Sequence, residues 1–438
     1  MTTTETPGPS GPTPSPPTDR SALARLLLVV VGGIVAAYLT GVTETVLVVA
    51  AIIVMIMLHE LGHFATAKWS GMKVTEYFLG FGPKLWSIKR GETEYGVKAI
   101  PAGGYVKIVG MSNLEKVDPA DESRTYRQKP YRNRLAVAVA GSTVHMILAF
   151  LLLWTIFAVV GLVETDKPKL EVGSISRLES GPSPAQNAGL RVGDRIVALD
   201  GDALDSWDDV PPYIRRRPGE TITFSVQRGS ERLELDVVPA DLSQVEISGD
   251  PRDRPDEPTG FVGIGPAFPV TRTGPVAALG EAATGLGRAS VDTVKALGSL
   301  FSPSGAQSYG RQLVGDGGSD GGGNAGEVSE DDPRFLSPVG FVRVASQAAD
   351  TGWREVLTLL FSINVFVGLF NMIPLLPLDG GHVAIATYER LRSRRGKRYH
   401  ADIAKAMPIY YAVFLVIVFI GVSSLYLDVV KPLNNPFQ

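Results

Sequence analysis

The chain has 438 residues, enough for two or three domains, and 45% of them are hydrophobic, which suits a membrane protein with a sizeable soluble part. The formal net charge is −3, which gives no case for nucleic acid as a partner. The absence of cysteine excludes disulfides, thiolate zinc ligands and a cysteine nucleophile. Any bound metal must therefore be held by histidine, aspartate or glutamate.

Residues 1–21 are mostly proline, threonine, serine and glycine, and we predict a disordered tail because they carry too little apolar surface to fold. The uncharged run Leu26–Thr43, preceded by Arg20 and Arg25, predicts an extra transmembrane helix over residues 22–43. A cleaved signal peptide is the alternative. The run lacks a small-x-small cleavage site, however, and another apolar segment follows almost at once.

A second transmembrane helix is predicted over residues 44–69, where thirteen apolar residues lead into His59-Glu60-Leu61-Gly62-His63. Because an α-helix repeats every 3.6 residues, His59 and His63 lie one turn apart on one face and can bind one Zn²⁺. Glu60 lies beside them and can take a proton from a water at the metal. Two surface histidines on an ordinary helix are the alternative, but polar groups at membrane depth favour a functional site.

Residues 70–112 are rich in glycine and predict small hairpins that form a membrane-associated β-loop. An exposed strand edge there could pair with an extended peptide, although a purely structural hairpin would have the same sequence signature. Residues 113–134 carry many charges and predict a cytoplasmic juxtamembrane segment.

A third transmembrane helix is predicted over residues 135–163. A soluble insert follows at residues 170–240, where the turn-strand-turn pattern of Gly189–Gly201 predicts a small, mostly β domain. Residues 241–301 are expected to form a connecting region. Residues 302–334, in which glycine, serine and acidic residues dominate, predict a flexible linker.

Two more transmembrane helices are predicted at residues 354–380 and 408–428, each about long enough to cross ~30 Å of hydrocarbon. The basic loop between them, residues 388–406, is placed in the cytoplasm by the positive-inside rule. The N-terminus and the active-site side are then cytoplasmic, and the β insert lies outside. The predicted fold is a polytopic α-helical membrane protein with four or five transmembrane helices, a β-hairpin region and one inserted β domain.

A third metal ligand is predicted near the end of the fourth span. Two histidines and a water leave zinc one protein ligand short of a typical catalytic site. Asp379 ends a proline-broken segment on the same predicted membrane side as the histidines. An ordinary helix-ending turn capped by Asp379 is the alternative. His145 and His382 are expected to be hydrogen-bonding groups near the metal, and His400 to be solvated.

These motifs resemble the bacterial site-2 proteases, a family of intramembrane zinc metalloproteases, in the branch with an extracytoplasmic PDZ domain. The resemblance is spread over much of the chain and is carried by five stretches, His59–His63, Gly80–Pro83, Ile100–Val106, Gly189–Gly201 and Asn371–Gly381. The combination of the zinc motif, the downstream Leu-Asp-Gly and a PDZ-like insert between spans is far more specific than the zinc motif alone.

The resemblance implies that His59, His63 and Asp379 bind Zn²⁺ and that Glu60 is the general base. The implied reaction is hydrolysis of a peptide bond within a transmembrane segment of a single-span protein. Typical substrates in the family are anti-sigma factors already cut by a first protease, in regulated intramembrane proteolysis signalling. Some members also clear remnant signal peptides.

The resemblance also implies roles in substrate binding. Gly80, Phe81 and Gly82, with the hairpin that follows, would hold the substrate as an added strand, and Asn371 would position the unwound substrate or stabilise the oxyanion. The PDZ domain would act as a size filter that contacts the substrate or another extracytoplasmic protein. The resemblance further implies that the protein contacts membrane lipid.

Three features depart from the family pattern. The family often has Gly-Pro-x-x-Asn before the PDZ domain, where this chain has Gly141-Ser142-Thr143-Val144-His145. The tail and first span precede the usual core, and the linker at 302–334 is long and acidic. Two other functions are open on sequence grounds. One is a PDZ-bearing membrane scaffold that does not cleave, and the other is an ion transporter, which would be expected to show broken helices in both halves.

Overall fold

A computed structural model describes residues 20–111, 115–178, 181–243, 255, 257–314, 335–393 and 399–430. The chain divides into two compact units. The helical unit comprises Met1–Ile156 and Pro275–Gln438, and the β unit comprises Phe157–Gly274. The predicted tail lies outside the described residues up to residue 19, and its last two residues already belong to the first helix.

The helices are given in chain order: α1 (Arg20–Thr40), α2 (Thr43–Trp69), α3 (Tyr131–Thr155, continued by a π-helical turn over Ile156–Val160), α4 (Pro184–Asn187), α5 (Val210–Arg215), α6 (Pro275–Leu300), α7 (Pro303–Val314), α8 (Pro338–Thr351), α9 (Trp353–Phe370), α10 (Asp379–Arg392) and α11 (Met407–Val430). Short 3₁₀ turns lie at Glu122–Arg124, Tyr126–Gln128, Trp207–Asp209 and Ile403–Ala406.

The strands are given in the same way: β1 (Val74–Arg90), β2 (Thr93–Ile108), β3 (Leu162–Val163), β4 (Lys169–Ile175), β5 (Arg177–Leu178), β6 (Gly181–Pro182), β7 (Arg195–Leu199), β8 (Asp202–Ala203), β9 (Ile222–Arg228), β10 (Glu231–Val237), β11 (Ala240–Asp241), β12 (Gly260–Phe261), β13 (Ile264–Ala267) and β14 (Val270–Thr271).

Five helices in the described part of the chain are long and apolar enough to cross a membrane. They are Ala22–Thr40, Thr43–Trp69, Tyr131–Val160, Trp353–Phe370 and Met407–Val430. Together with the sheet of the β unit, they confirm the predicted fold class, a polytopic helical membrane protein with an inserted β domain.

The fourth span is shorter than the helix predicted over residues 354–380. Helix α9 ends at Phe370, and turns connect it to α10, which starts at Asp379. Two prolines in the connection remove backbone donors and disfavour helix. The backbone N–H of Gly380 donates to the carbonyl of Asn371 at 2.7 Å, which closes this irregular segment on itself.

The sequence does not predict helix α8, because its apolar residues are interleaved with polar ones. Packing against other helices is what stabilises it. Ala345 and Ala348 are buried in one cluster with Val48 of α2 and Val356 of α9. The hydroxyl of Ser337 caps α8 by accepting from the N–H groups of Val339 and Gly340, both at 3.2 Å.

The glycine-rich region forms two long strands, β1 and β2, which include a short antiparallel hairpin between residues 84–90 and 93–98. The strands bend, so residues 76–79 pair antiparallel with residues 104–107 and also in parallel with residues 94–97. Residues 104–108 pair with β1 alone among the described residues. The last part of β2 is therefore an open sheet edge.

Ion pairs fix the turn of this hairpin. Glu92 accepts from Arg124 at 2.7 and 2.9 Å and from Lys68, at the end of α2, at 2.6 Å. The hydrogen bond from the Arg124 guanidinium is the main reason that the pKa of Glu92 falls to about 2. The juxtamembrane segment therefore ties the hairpin to the zinc-motif helix.

The linker predicted over residues 302–334 begins with an ordered helix, α7. Tyr309 of α7 shares hydrogen bonds with Ser423 and Ser424 of α11, at 2.8 and 3.2 Å. Such tertiary contacts order a segment whose glycine- and serine-rich composition predicts flexibility. Residues 315–334 lie outside the described residues.

The β unit extends beyond the predicted insert at residues 170–240. Its main sheet has the order β10-β9-β7-β4-β13, with β8 paired to β7. Strand β13 comes from the region predicted to be connecting, and pairs with β4 from Ile264↔Ile175 onwards. The core contains the fully buried side chains of Val172, Leu199 and Phe224.

Asp194 is an acidic group buried in the β unit, with 1% of its surface exposed. It accepts hydrogen bonds from Arg228 at 2.7 and 2.8 Å and from the N–H of Arg191 at 2.8 Å. Burial acts to raise the pKa of Asp194, but Arg228 and the Arg191 N–H outweigh burial and hold the pKa below its usual range.

Because the folded pKa of Asp194 is depressed, its stabilising effect is present above an unfolded pKa of about 3.9 and is lost as pH falls further, through the folded value. We expect Asp194→Asn to destabilise the β unit by about 1–3 kcal/mol at neutral pH and to weaken its acid sensitivity. Hydrogen exchange of residues 195–199 and 222–228 in the full chain measures both effects. Asp205→Asn, an exposed control, should leave exchange unchanged, and equal behaviour of the two variants would contradict the assignment.

Candidate metal centre and active site

Helix α2 brings the two histidines of the sequence motif to one buried point. His59 Nε2 and His63 Nε2 lie 3.2 Å apart. His63 Nδ1 is 2.7 Å from the carbonyl oxygen of Val137 in α3. Since a carbonyl can only accept, Nδ1 of a neutral His63 carries the proton, and Nε2 presents its lone pair. This is the arrangement in which an imidazole binds a metal.

Asp379 reaches the same point from the first residue of α10. Its Oδ2 lies 3.4 Å from His59 Nε2 and 3.2 Å from His63 Nε2. This oxygen is buried and has no hydrogen-bond donor within the described residues. The irregular segment before α10 depends on glycine, because a Cβ on Gly380 would lie 2.3 Å from the Met372 carbonyl oxygen.

The three atoms suit a zinc ion. A tetrahedral ion with bonds of about 2.0–2.1 Å separates its ligand atoms by about 3.3–3.4 Å. The three observed separations are 3.2, 3.4 and 3.2 Å, so the atoms can form one face of such a tetrahedron. Among the described residues, the ligand atoms of His59, His63 and Asp379 lie close enough together to hold a metal ion.

Helix α3 packs against this group without a side chain in the way. A Cβ on Gly141 would lie 2.3 Å from His59 Cε1 and 2.5 Å from each of the two Nε2 atoms. No side chain can occupy that space, so the glycine at this position is a steric requirement of the histidine pair.

Glu60 lies between the metal ligands and the open edge of the hairpin. A Cβ on Gly104 of β2 would be 3.1 Å from Glu60 Cγ, which shows how closely the strand approaches. The backbone N–H of Val106 faces the Glu60 carboxylate. The free edge at residues 104–108 therefore runs beside the predicted general base.

A second polar pair, which sequence reasoning missed in part, lies next to His59. The ring of His145 is 5.0 Å from that of His59, and its Nδ1 is 2.8 Å from Asn364 Oδ1. Asn364 is completely buried, and its Nδ2 donates to the Leu360 carbonyl at 2.7 Å. Because that carbonyl fixes the amide orientation, Nδ1 of His145 donates and its Nε2 is free to accept. The sequence signal for this pair was Asn364, an asparagine within the mostly apolar helix α9.

The other predicted site residues lie just after α9 and at the bend of β1. Asn371 follows the last residue of α9, and its carbonyl accepts from the Gly380 N–H. Gly80 and Gly82 both have a φ of +84° at the bend of β1, and Phe81 between them stacks on Tyr105 with ring centroids 6.0 Å apart.

The two remaining histidines also have defined surroundings. His382 contacts the Tyr126 ring edge-on, with centroids 6.3 Å apart. His400, expected to be solvated, has 40% of its side chain exposed and lies 3.9 Å from Glu389.

Comparison with known proteins places this geometry in a family. The model of peptidase family M50 matches residues 47–311 and 328–417. The chain is 33% identical over 418 residues to the zinc metalloprotease Rip1 of Mycobacterium tuberculosis, covering 90% of this chain and 98% of the relative. It is 32% identical to Rip1 of Mycolicibacterium smegmatis, covering 89% and 98%. A putative zinc metalloprotease of Rhizobium meliloti is 28% identical, covering 78% and 85%.

The matches cover most of the chain and confirm the resemblance drawn from its motifs, the enzyme class and the zinc cofactor. The chain belongs to peptidase family M50, and it is an intramembrane zinc metalloprotease of the site-2 protease type.

Proposed function

We propose that this protease hydrolyses a peptide bond within the transmembrane segment of a single-span protein, with His59, His63 and Asp379 as zinc ligands and Glu60 as general base. The observation that carries the proposal is the convergence of the three ligand atoms from two distant parts of the sequence, with Glu60 beside them.

Each group has one chemical task in this proposal. When bound, zinc would act as a Lewis acid that makes water nucleophilic near neutral pH and polarises the carbonyl of the scissile peptide bond. Glu60 accepts a proton from the attacking water and delivers it to the leaving amine nitrogen. Val137 holds the His63 ring in the tautomer that leaves Nε2 free, and Gly141 leaves room for both rings.

The open edge of the hairpin is the proposed binding site for the substrate backbone. A transmembrane helix hides its carbonyls in hydrogen bonds, so it must unwind before attack. On their outer side, residues 104–108 pair with no strand in the described part of the chain, so an extended segment can add there as a strand beside Glu60. Gly80, Phe81 and Gly82 shape the bend that supports this edge, and Asn371 is proposed to position the unwound chain.

The proposal also covers the class of substrate and the orientation of the chain in the membrane. The family resemblance supports an anti-sigma factor, already trimmed by a first protease, as the substrate. The basic residues of 388–406 support a cytoplasmic position for this loop, the N-terminus and the active-site side. The β unit, proposed to be a PDZ domain, then lies outside and limits access to trimmed substrates.

Replacing Glu60 tests the proposed chemistry. We expect Glu60→Gln to lower cleavage of a trimmed single-span substrate at least about 100-fold, because the proton acceptor is lost while the zinc ligands remain. Cleavage is measured in cells, and zinc is measured on the purified protein. Glu44→Gln, in the exposed first turn of the same helix, is the control and should cleave normally. Equal processing by Glu60→Gln and the control would contradict the assignment of Glu60 as the general base.

A second prediction concerns the space at Gly141. We expect Gly141→Ala to lower bound zinc well below one per chain and cleavage at least about tenfold, because the methyl group would displace both histidine rings. Metal analysis of the purified variant measures the first effect directly. Gly421→Ala, in another span where the added Cβ meets nothing within 4 Å, is the matched control. Full zinc retention in Gly141→Ala would contradict the proposed ligand geometry.

Removing the β unit tests its proposed role as a size filter. Val163 pairs with Val270, so the two ends of the excised segment are neighbours and a short Gly/Ser linker can replace residues 164–269. We expect this variant to cleave both trimmed and untrimmed substrate, whereas the wild type cleaves only the trimmed form. Cleavage of trimmed substrate by both proteins controls for folding, and unchanged selectivity would count against the filter.

A further inference from the structure

A basic cavity of about 340 Å³ lies in the helical unit, apart from the metal ligands. It is formed by the segment 127–134, which leads into α3, by the end of α10 with Ser393, and by residues 399–400. Five of its lining residues are arginine or lysine, namely Arg127, Lys129, Arg132, Arg134 and Arg390. His400 also lines it, and no acidic side chain is among the described residues that line it.

Only part of this charge is neutralised by neighbouring residues. Arg127 pairs with Glu122 at 2.5 Å, and Arg134 pairs with Glu389. Neither carboxylate is among the described residues that line the cavity. Lys129, Arg132 and Arg390 make no ion pair within the part of the chain that the structure describes. The cavity therefore has an excess of positive charge.

Arg134 provides the most specific indication of a ligand. Only 8% of this residue is exposed, and its Nη1 is bound to Glu389. Its Nε is buried and has no acceptor among the described residues. A buried donor without an acceptor is costly, and Arg134 also lines the cavity, where its charge would attract an anion.

The first turn of α3 adds backbone donors at the same place. Pro130 precedes the helix and gives it no side-chain cap. The N–H groups of Tyr131 and Arg132 have no backbone acceptor in the described residues. Uncapped N–H groups at a helix start favour an anion, and these two belong to residues that line the cavity.

The location indicates the kind of molecule that carries the anion. Helix α3 is one of the five candidate spans, so its first turn lies where hydrocarbon meets water. Tyr131 and Tyr399 line the cavity, and tyrosine is common at headgroup level. The ligand chemistry that fits these donors is a phosphate group, of a lipid headgroup or of a free phosphate.

We propose that this cavity binds the phosphate group of an anionic molecule and thereby joins the start of α3 to the end of α10. These two helices also carry Gly141 and Asp379 of the metal centre. The bound phosphate thus stabilises the arrangement of the helices that form the active site, without taking part in its chemistry.

The experiment is thermal unfolding of the delipidated full-length protein in a neutral detergent. Three probes are added separately, namely short-chain phosphatidylglycerol, short-chain phosphatidylcholine and inorganic phosphate, with sodium chloride matching the ionic strength. The cavity variant is Lys129→Gln with Arg132→Gln. The control, Arg90→Gln with Lys116→Gln, removes the same two residue types from exposed positions outside the cavity.

We expect phosphatidylglycerol or inorganic phosphate to raise the unfolding midpoint of the wild type and of the control by several degrees. The cavity variant should need at least about tenfold more of the probe for the same shift. A shift with phosphatidylglycerol alone assigns the site to a lipid headgroup, and one with inorganic phosphate alone assigns it to free phosphate.

The proposal is overturned if neither anionic probe stabilises the wild type beyond phosphatidylcholine and sodium chloride, or if the cavity variant and the control respond equally. If the double variant does not fold, Arg390→Gln takes its place, since it removes a cavity charge from the other helix. Retention of the full wild-type response by Arg390→Gln would then overturn the proposal.

Discussion

The candidate metal centre depends on a close approach between backbone and side chains that only glycine allows. The rings of His59 and His63 fill the space where Gly141 of α3 has no side chain. Asp379 meets them because the segment before α10 closes tightly, through the hydrogen bond from Gly380 to Asn371. Irregular backbone at membrane depth must satisfy its own polar groups, and this hydrogen bond does so while it presents the carboxylate.

The hairpin and the metal centre form one functional arrangement. A protease that acts on a transmembrane helix must both extend its substrate and activate water. The open edge at residues 104–108 provides main-chain donors and acceptors, and Glu60 lies beside this edge on the side of the histidines. Ion pairs of Glu92 with Arg124 and Lys68 hold the turn of the hairpin to α2. Contacts at the far end of the hairpin therefore help to fix the edge relative to Glu60, the proposed general base.

Local sequence rules were sufficient for the spans and for the three residues that converge at the candidate metal centre. Helical spacing placed His59 beside His63, and the need for one more protein ligand pointed to Asp379. Tertiary contacts decided the rest. Helix α7 is ordered by hydrogen bonds from Tyr309, α8 by packing of Ala345 and Ala348, and β13 by pairing with β4, and none of these contacts has a local sequence signature. The pairing of His145 with Asn364 joins residues far apart in the chain, so sequence indicated only that each was polar in an apolar setting.

The central claim is that His59, His63 and Asp379 together bind one zinc ion. X-ray absorption at the zinc edge of the purified full-length protein and of Asp379→Ala tests it most directly, since it reports the ligand atoms without requiring a substrate. The account predicts about one zinc per wild-type chain, two imidazole ligands and a carboxylate oxygen at about 2.0–2.2 Å, with the carboxylate oxygen lost or replaced in Asp379→Ala. An unchanged ligand shell in that variant, or a third imidazole in the wild type, would contradict the assignment.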